Sequence, residues 1–249
     1  MDKQKVNQAT SIQPANRDFK AQGCFINLPK HSLSGPYEPQ VASLSREINQ
    51  SPIRGSEQRL EAFGRVIPLL ICGEQSAISV FSTAAKMRTS SEKLLQRAFL
   101  SIEAEEAGHE LLWQSLARQL PMPADLRRQQ RRAALFFAKL GRAESIEEHF
   151  AQISQLDSAV GAIMWCLERS EIARDPRVQA VAEKVKRDEA KHVSVSRKFA
   201  LGLGLKRDHL HELGIRMRNE LIALLEPIAD SIESIGIDAD VMFSRIRRN

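Results

Sequence analysis

The sequence predicts an all-α protein, on three observations. Apolar residues recur at helical spacing through most of residues 56–230. Gly and Pro are scarce over the same stretch, so little interrupts long helices. The motif acid-Glu-x-x-His occurs twice, as Glu105 to His109 and Asp188 to His192, each inside such a stretch. Residues three apart share a helix face, so each copy offers a carboxylate and an imidazole to one point.

Residues 1–54 read as an extended arm, partly disordered at its start, and residues 55–249 as one helical domain. The arm holds five of the ten prolines, several Ser and Asn, and the only tyrosine, Tyr37. Its apolar stretch CFINLP (24–29) is expected to pack on the body. A first long helix runs from Ser56 to Met87 on Phe63, Ile67, Leu70, Ile71, Ile78 and Phe81, with a kink or break at Pro68. Arg88 to Ser91 form the turn, and Ser91 starts a second helix that Pro121 and Pro123 stop near Leu120. A basic amphipathic helix near 123–140 breaks at Gly141. The third long helix covers Ser145 to Ala173. Asp175 caps and Pro176 opens the fourth, which Gly202 and Gly204 end after Leu201. A fifth, 207–233, carries the apolar face Leu210, Leu213, Met217, Leu221, Leu224 and Leu225, and a short helix follows Asp238.

The 249 residues suffice for one domain with a substantial core. No run of eighteen apolar residues occurs, so no membrane span or membrane partner is expected. The polar N-terminus lacks an apolar signal core, which points to a cytoplasmic protein. Cys24, Cys72 and Cys166 are odd in number and widely spaced, which suggests neither a disulfide framework nor a zinc site. Cys72 and Cys166 read as core residues. The net charge is +5 and the pI about 9.3. Arginines gather at Arg127, Arg128, Arg131 and Arg132, either as a solvated helix face or as a landing surface for an acidic carrier protein, a phosphorylated substrate or RNA. No interleaved aromatics or nucleic-acid motif accompany them.

The duplicated motif gains meaning from what precedes it. Glu74 lies 32 residues before Glu106, and Asp157 lies 32 residues before Glu189. In an antiparallel hairpin, facing residues stand equally far from the turn. The first pair is centred on residue 90, inside the expected turn, and the second on residue 173, beside Arg174-Asp175-Pro176. Each pair therefore meets at one level of its hairpin. Glu168 shares the face of Asp157 but stands about 16 Å further along the axis. Pairing it with Glu189 would put the turn inside the fourth helix, so Asp157 is preferred and Glu168 is the reserve.

The candidate metal ligands are thus Glu74, Glu106, His109, Asp157, Glu189 and His192. Two iron or manganese ions take hard oxygen ligands and imidazole. Four carboxylates largely balance two divalent cations, and one histidine per metal leaves positions for O2 or water. Buried without cations, such carboxylates would cost several kcal/mol each, so the competing reading must place them in solvent. The neighbours Phe99, Ile102, Leu112 and Trp113, and Ala182, Val185 and Phe199, instead put both motifs on the core face. Glu105 and Asp188 turn toward the adjacent helix, where each is either surface charge or the acceptor that fixes the ring of a ligand histidine. Glu103 and Glu110 read as structural, and Trp113 and Trp165 as core. Gly73, Gly108 and Gly161 lie beside or one turn from the ligands and imply room for a substrate, a local bulge or close packing.

This arrangement of Glu74, Glu105-Glu106-x-x-His109, Asp157 and Asp188-Glu189-x-x-His192 resembles the ferritin-like di-iron carboxylate superfamily over residues 56–204. The resemblance implies a ferritin-like four-helix bundle, here with an irregular N-terminal arm and additional C-terminal helices. It implies two iron ions, with manganese as the alternative at one or both sites, O2 as co-substrate, and an external electron donor such as a reductase. The superfamily's usual third-helix ligand is Glu, so Asp157 is a departure. No tyrosine near the site can hold a radical, no CxxC pairs occur as in classical rubrerythrins, and the chain is longer and more basic than suits an iron-storage subunit. The expectation is an O2-dependent oxygenase or oxidase that hydroxylates, N-oxygenates or desaturates a small or carrier-bound metabolite. A tRNA-modifying di-iron hydroxylase and an iron-binding ferroxidase or storage protein are the alternatives. An enzyme is expected as monomer or homodimer, a storage protein as a cage.

Overall fold

The computed structural model describes Cys24 and residues 38–87 and 92–248. These form helices α1 (Glu38–Gln50), α2 (Glu57–Lys86), α3 (Lys93–Ala117), α4 (Leu126–Leu140), α5 (Ile146–Leu167), α6 (Pro176–Gly202), α7 (Arg207–Leu225), α8 (Ala229–Ser234) and α9 (Ala239–Arg248). No strand occurs among the described residues, in line with an all-α fold.

The long helices begin where side chains can satisfy their first amides. Ser56 Oγ accepts from Arg59 N at 3.3 Å, Ser145 Oγ from Glu148 N at 3.3 Å, and Asp175 Oδ1 from Arg177 N at 3.0 Å, with Pro176 as the first residue of α6. α2 packs on α3 and α5 on α6, and α3 meets α6 to join the two pairs. α4 covers α2 and α7, α7 and α9 cover α5, and α8 lies on α2.

One layer binds the pairs together. Phe81 of α2, Phe99 of α3, Phe150 of α5 and Phe199 of α6 meet in a single cluster. Ring centroids are 5.2 Å apart for Phe99 and Phe150, 4.7 Å for Phe150 and Phe199, and 5.9 Å for Phe81 and Phe99. The Phe99–Phe199 and Phe150–Phe199 pairs are edge-to-face, an arrangement worth about 0.5–1.5 kcal/mol per pair beyond the area buried. Phe81 also stands 6.3 Å from the ring of His192, so this layer supports the one that carries the motifs.

Several element boundaries differ from expectation. The arm is not extended throughout, because residues 38–50 form α1, which packs on α3 and α6. Val41 and Ile48 are fully buried at helical spacing with half-buried Leu44 between them, a pattern hidden among Ser and Asn. Ser45 and Ser115 hydroxyls meet at 2.9 Å, and Arg177 donates to the carbonyls of Ser51 and Pro52, tying the end of the arm to the start of α6. Residues 1–23, residues 25–29 of the apolar stretch, and the turn at 88–91 with the proposed start at Ser91 lie outside the described residues.

Of the kink or break expected at Pro68, the break does not occur, and α2 runs through it. The amide that Pro68 lacks would have bonded to the carbonyl of Gly64. Gly64 itself is required, since a Cβ there would stand 2.5 Å from the carbonyl oxygen of Pro121. α5 stops at Leu167 instead of Ala173, because Ser170 Oγ donates to the Leu167 carbonyl at 2.6 Å and a 3-10 turn follows at Ile172–Arg174. Pro227 divides the expected fifth helix into α7, a 3-10 turn and α8.

The cysteine expectation is also corrected. The structure joins Cys24 to Cys72 in a disulfide and leaves Cys166 free and buried. Two cysteines far apart in sequence meet because Cys24 packs against the core beside α2, a contact invisible in their spacing. Disulfides persist in oxidising compartments, so this pairing and the cytoplasmic expectation pull in opposite directions. α2 meets the length and apolarity of a membrane span, as a core helix also does. Its faces are covered by α3, α4 and α8, and it carries buried Glu74 and Gln75 at mid-length.

Candidate metal centre

All six candidate ligands are buried and converge where α2, α3, α5 and α6 meet. Glu74, Glu106, His109 and Glu189 offer ligand atoms that all lie within 4.8 Å of one another. Asp157, Glu189 and His192 form a second such group, so Glu189 belongs to both. Glu106 also stands between the halves. Its Oε2 is 3.4 Å from His109 Nδ1 and its Oε1 is 3.1 Å from His192 Nδ1. Glu74 Oε2 faces the same His109 nitrogen at 3.4 Å. The two imidazole centroids are 6.0 Å apart.

The outer ring nitrogens are held crosswise. His109 Nε2 of α3 lies 3.0 Å from Asp188 Oδ2 of α6, and His192 Nε2 of α6 lies 2.9 Å from Glu105 Oε2 of α3. Each motif's leading acid thus fixes the other motif's histidine and turns its Nδ1 inward. The acids are themselves held by lysines, Glu105 by Lys191 at 2.6 Å and Asp188 by Lys184 at 3.5 Å. Glu168 does not join the cluster. It caps α5 and pairs with Lys186 and Arg169, so it is no reserve ligand. Glu110 accepts from Gln75 and Gln114 and is structural. Of the arginine cluster, Arg132 donates to the carbonyls of Ala223 and Leu224 at the end of α7, while Arg127, Arg128 and Arg131 are exposed.

Two features were missed in the sequence. Trp113 is fully buried and its indole N–H donates to Glu74 Oε1 at 2.9 Å, leaving Oε2 to face His109. Its spacing four residues after His109 put it on the motif face, a signal that reading it only as core overlooked. The other is a cavity of about 240 Å³ between α2 and α5, floored by Glu74, Glu106, Asp157 and Glu189 and covered by residues of α4 and α7. No periodicity marks a cavity whose cover comes from helices outside the ligand set.

The electrostatics ask for cations. Burial pushes the Glu74 and Asp157 carboxyls well above the usual range, helped by repulsion from Glu106 and from Glu189 respectively. Glu189 is raised by burial and by Glu106. Burial opposes ionisation of Glu106 too, but His192 and His109 outweigh it and hold Glu106 well below the usual range. Burial disfavours both imidazoliums, yet Glu74 and Asp188 raise His109 well above its ordinary value, and Glu106 and Glu105 do the same for His192. Protons and metal ions would compete for the same atoms.

The donor set fits a metal. Asp157 Oδ2 is buried and makes no hydrogen bond among the described residues, and buried Glu189 Oε2 and His192 Nδ1, 3.5 Å apart, have only other atoms of the cluster beside them. Buried polar atoms ordinarily find partners, and orphans of this kind at one point are what a bound cation satisfies. The cluster can therefore hold a metal ion. No protein-family model matches the chain, and neither a curated protein nor a solved structure matches it.

Proposed function

We propose that this chain is a ferritin-like dinuclear iron protein that uses O2 to oxidise a small or carrier-bound metabolite. The observation that carries the reading is the joining of two Glu-x-x-His motifs by crossed histidine–acid contacts around four buried carboxylates. Glu74, Glu106, His109 and Glu189 would hold one ion, and Asp157, Glu189 and His192 the other, with Glu106 beside both. Reduced iron bound here supplies the capacity to bind O2 and pass electrons to it, drawn from an external donor such as a reductase.

The protein's own residues set the conditions. Asp188 and Glu105 fix the imidazole rings, which keeps each Nδ1 inward as a ligand. Trp113 holds Glu74 Oε1, so Glu74 presents its other oxygen. The carboxylates face a largely apolar cavity, which gives a substrate a dry place beside the centre. Such a cavity suits an oxygenase or oxidase better than a ferroxidase that takes hydrated iron. The exposed Arg127, Arg128 and Arg131 on α4, the helix that helps cover the cavity, offer a docking face for an acidic carrier or reductase.

Anaerobic loading with ferrous iron followed by metal analysis and O2-uptake measurement tests the reading. Two iron ions per chain and O2 consumption by the chemically reduced monomer or dimer are expected. Iron at trace level sinks it. A cage-sized assembly in light scattering, filling with iron as O2 is consumed, replaces it with iron storage.

A further inference from the structure

Metal binding does not by itself account for the cavity beside the centre. Its volume is about 240 Å³, in a class of interior that is normally close-packed. Its floor is the four carboxylates, and neither His109 nor His192 lines it. Its walls are apolar, with Leu70 and Val80 from α2, Ile153 and Leu156 from α5, Phe137 from α4 and Leu221 from α7. No Lys or Arg among the described residues lines it. The solvent side is marked by exposed Ser79 and Gly141 and by half-buried His149, whose pKa burial pushes down. Gly73 in the wall already has Phe137 Cζ 3.5 Å from where a Cβ would stand, so a larger residue there would narrow the space.

These boundaries select a ligand by chemistry. An anion drawn inside would lose its hydration and face four carboxylates with no basic side chain in the lining to receive it, and with metal ions on those carboxylates a cation would find no free negative charge there. An apolar body loses nothing of the kind and replaces water against leucine, isoleucine and phenylalanine. A cavity of ~150 Å³ holds one benzene ring, so this one has room for about ten non-hydrogen atoms.

We propose that the cavity binds a neutral, largely apolar organic substrate with a body of about ten non-hydrogen atoms, inserted so that one end lies against Glu74, Glu106, Asp157 and Glu189 and any polar group stays at the Ser79–Gly141 mouth. As the substrate class of the centre, this rests on the dinuclear reading. The binding itself is a property of the cavity.

Calorimetric titration of the full chain with butylbenzene, before and after ferrous iron loading under nitrogen, tests it. One butylbenzene per chain is expected, with a negative heat-capacity change from apolar burial. The carboxylate analogue 4-phenylbutyrate should bind at least tenfold more weakly. Ala77→Phe, which puts a ring into the cavity, should weaken butylbenzene at least tenfold, with folding checked by circular dichroism. Val160→Phe fills the same space from α5 if the first variant does not fold. No saturable binding of butylbenzene, equal binding of 4-phenylbutyrate, or wild-type binding by the filled variants overturns the proposal. Iron at two per chain without butylbenzene binding overturns the substrate class and leaves the metal centre standing. Butylbenzene binding with iron at trace upholds the cavity as an apolar site and overturns the dinuclear reading.

Discussion

Glu105 of α3 holds His192 of α6 through an Oε2 to Nε2 contact of 2.9 Å. The contact links the two halves of the centre, because Glu105 belongs to the first motif and His192 to the second. Outer partners of ligand histidines typically contribute 10–100-fold in metal affinity. Glu105→Ala should therefore weaken metal binding about 10–100-fold, while Glu105→Gln, which keeps an acceptor, should lose less. Competition with a fluorescent chelator reads both. Wild-type affinity in Glu105→Ala would mean that Glu105 serves only as a partner for Lys191.

The histidines should be less forgiving. His109→Ala and His192→Ala each remove one of the two imidazoles, one from each group of ligands. Each variant should hold fewer iron ions than wild type and lose O2 consumption by the chemically reduced protein. Helical content should survive, because the Phe81, Phe99, Phe150 and Phe199 layer and the aliphatic core are untouched. O2 uptake at the wild-type rate in either variant would refute the assignment.

Most of this centre was legible in the sequence because a helix converts spacing into direction. Glu106 and His109 must share a face, and equal distances from a turn must bring Glu74 to Glu106 and Asp157 to Glu189. The same logic separated Asp157 from Glu168, which the structure places at the end of α5 with Lys186 and Arg169. What stayed hidden depends on contacts between elements distant in sequence. The Cys24–Cys72 disulfide, the docking of α1 through Ser45 and Arg177, and the cavity covered by α4 and α7 have no periodic signature. Trp113 is the intermediate case. Its position on the motif face was readable, but its donation to Glu74 depends on how closely α2 approaches α3.

Trp113→Phe removes the indole N–H and also replaces a fused ring by a smaller one at a fully buried site, leaving a void. Glu74 Oε1 would then lose its buried donor, and a buried acceptor left alone costs roughly 1–3 kcal/mol. Urea unfolding of the variant should show at least that loss, with the void adding to it, together with weaker metal binding as Glu74 loses its fixed orientation. Unchanged metal affinity, with only the stability loss that a void explains, would reduce Trp113 to a packing residue.

The titrating groups predict opposite pH trends with and without metal. His109 and His192 have folded pKa values well above their ordinary value of about 6.5, so the stability they contribute is fully present below that value. It is lost as pH rises through the folded values. Glu74, Asp157 and Glu189 are raised too, and they act in the same direction, because ionising them in the core becomes a cost as pH climbs. Glu106 is lowered, so its contribution is lost only in acid, as pH falls below about 4.3. The metal-free protein should therefore lose stability as pH rises, from about pH 4 as the raised carboxyls are forced to ionise and further above about pH 6.5 as the histidines lose their protons. Metal ions replace the same protons, so binding releases them and strengthens as pH rises. With manganese(II) in excess, the Tm should hold or rise over the range where that of the chelator-treated protein falls. Thermal unfolding at stepped pH, with and without manganese(II), measures both curves, and parallel curves would show that metal does not bind the titrating atoms.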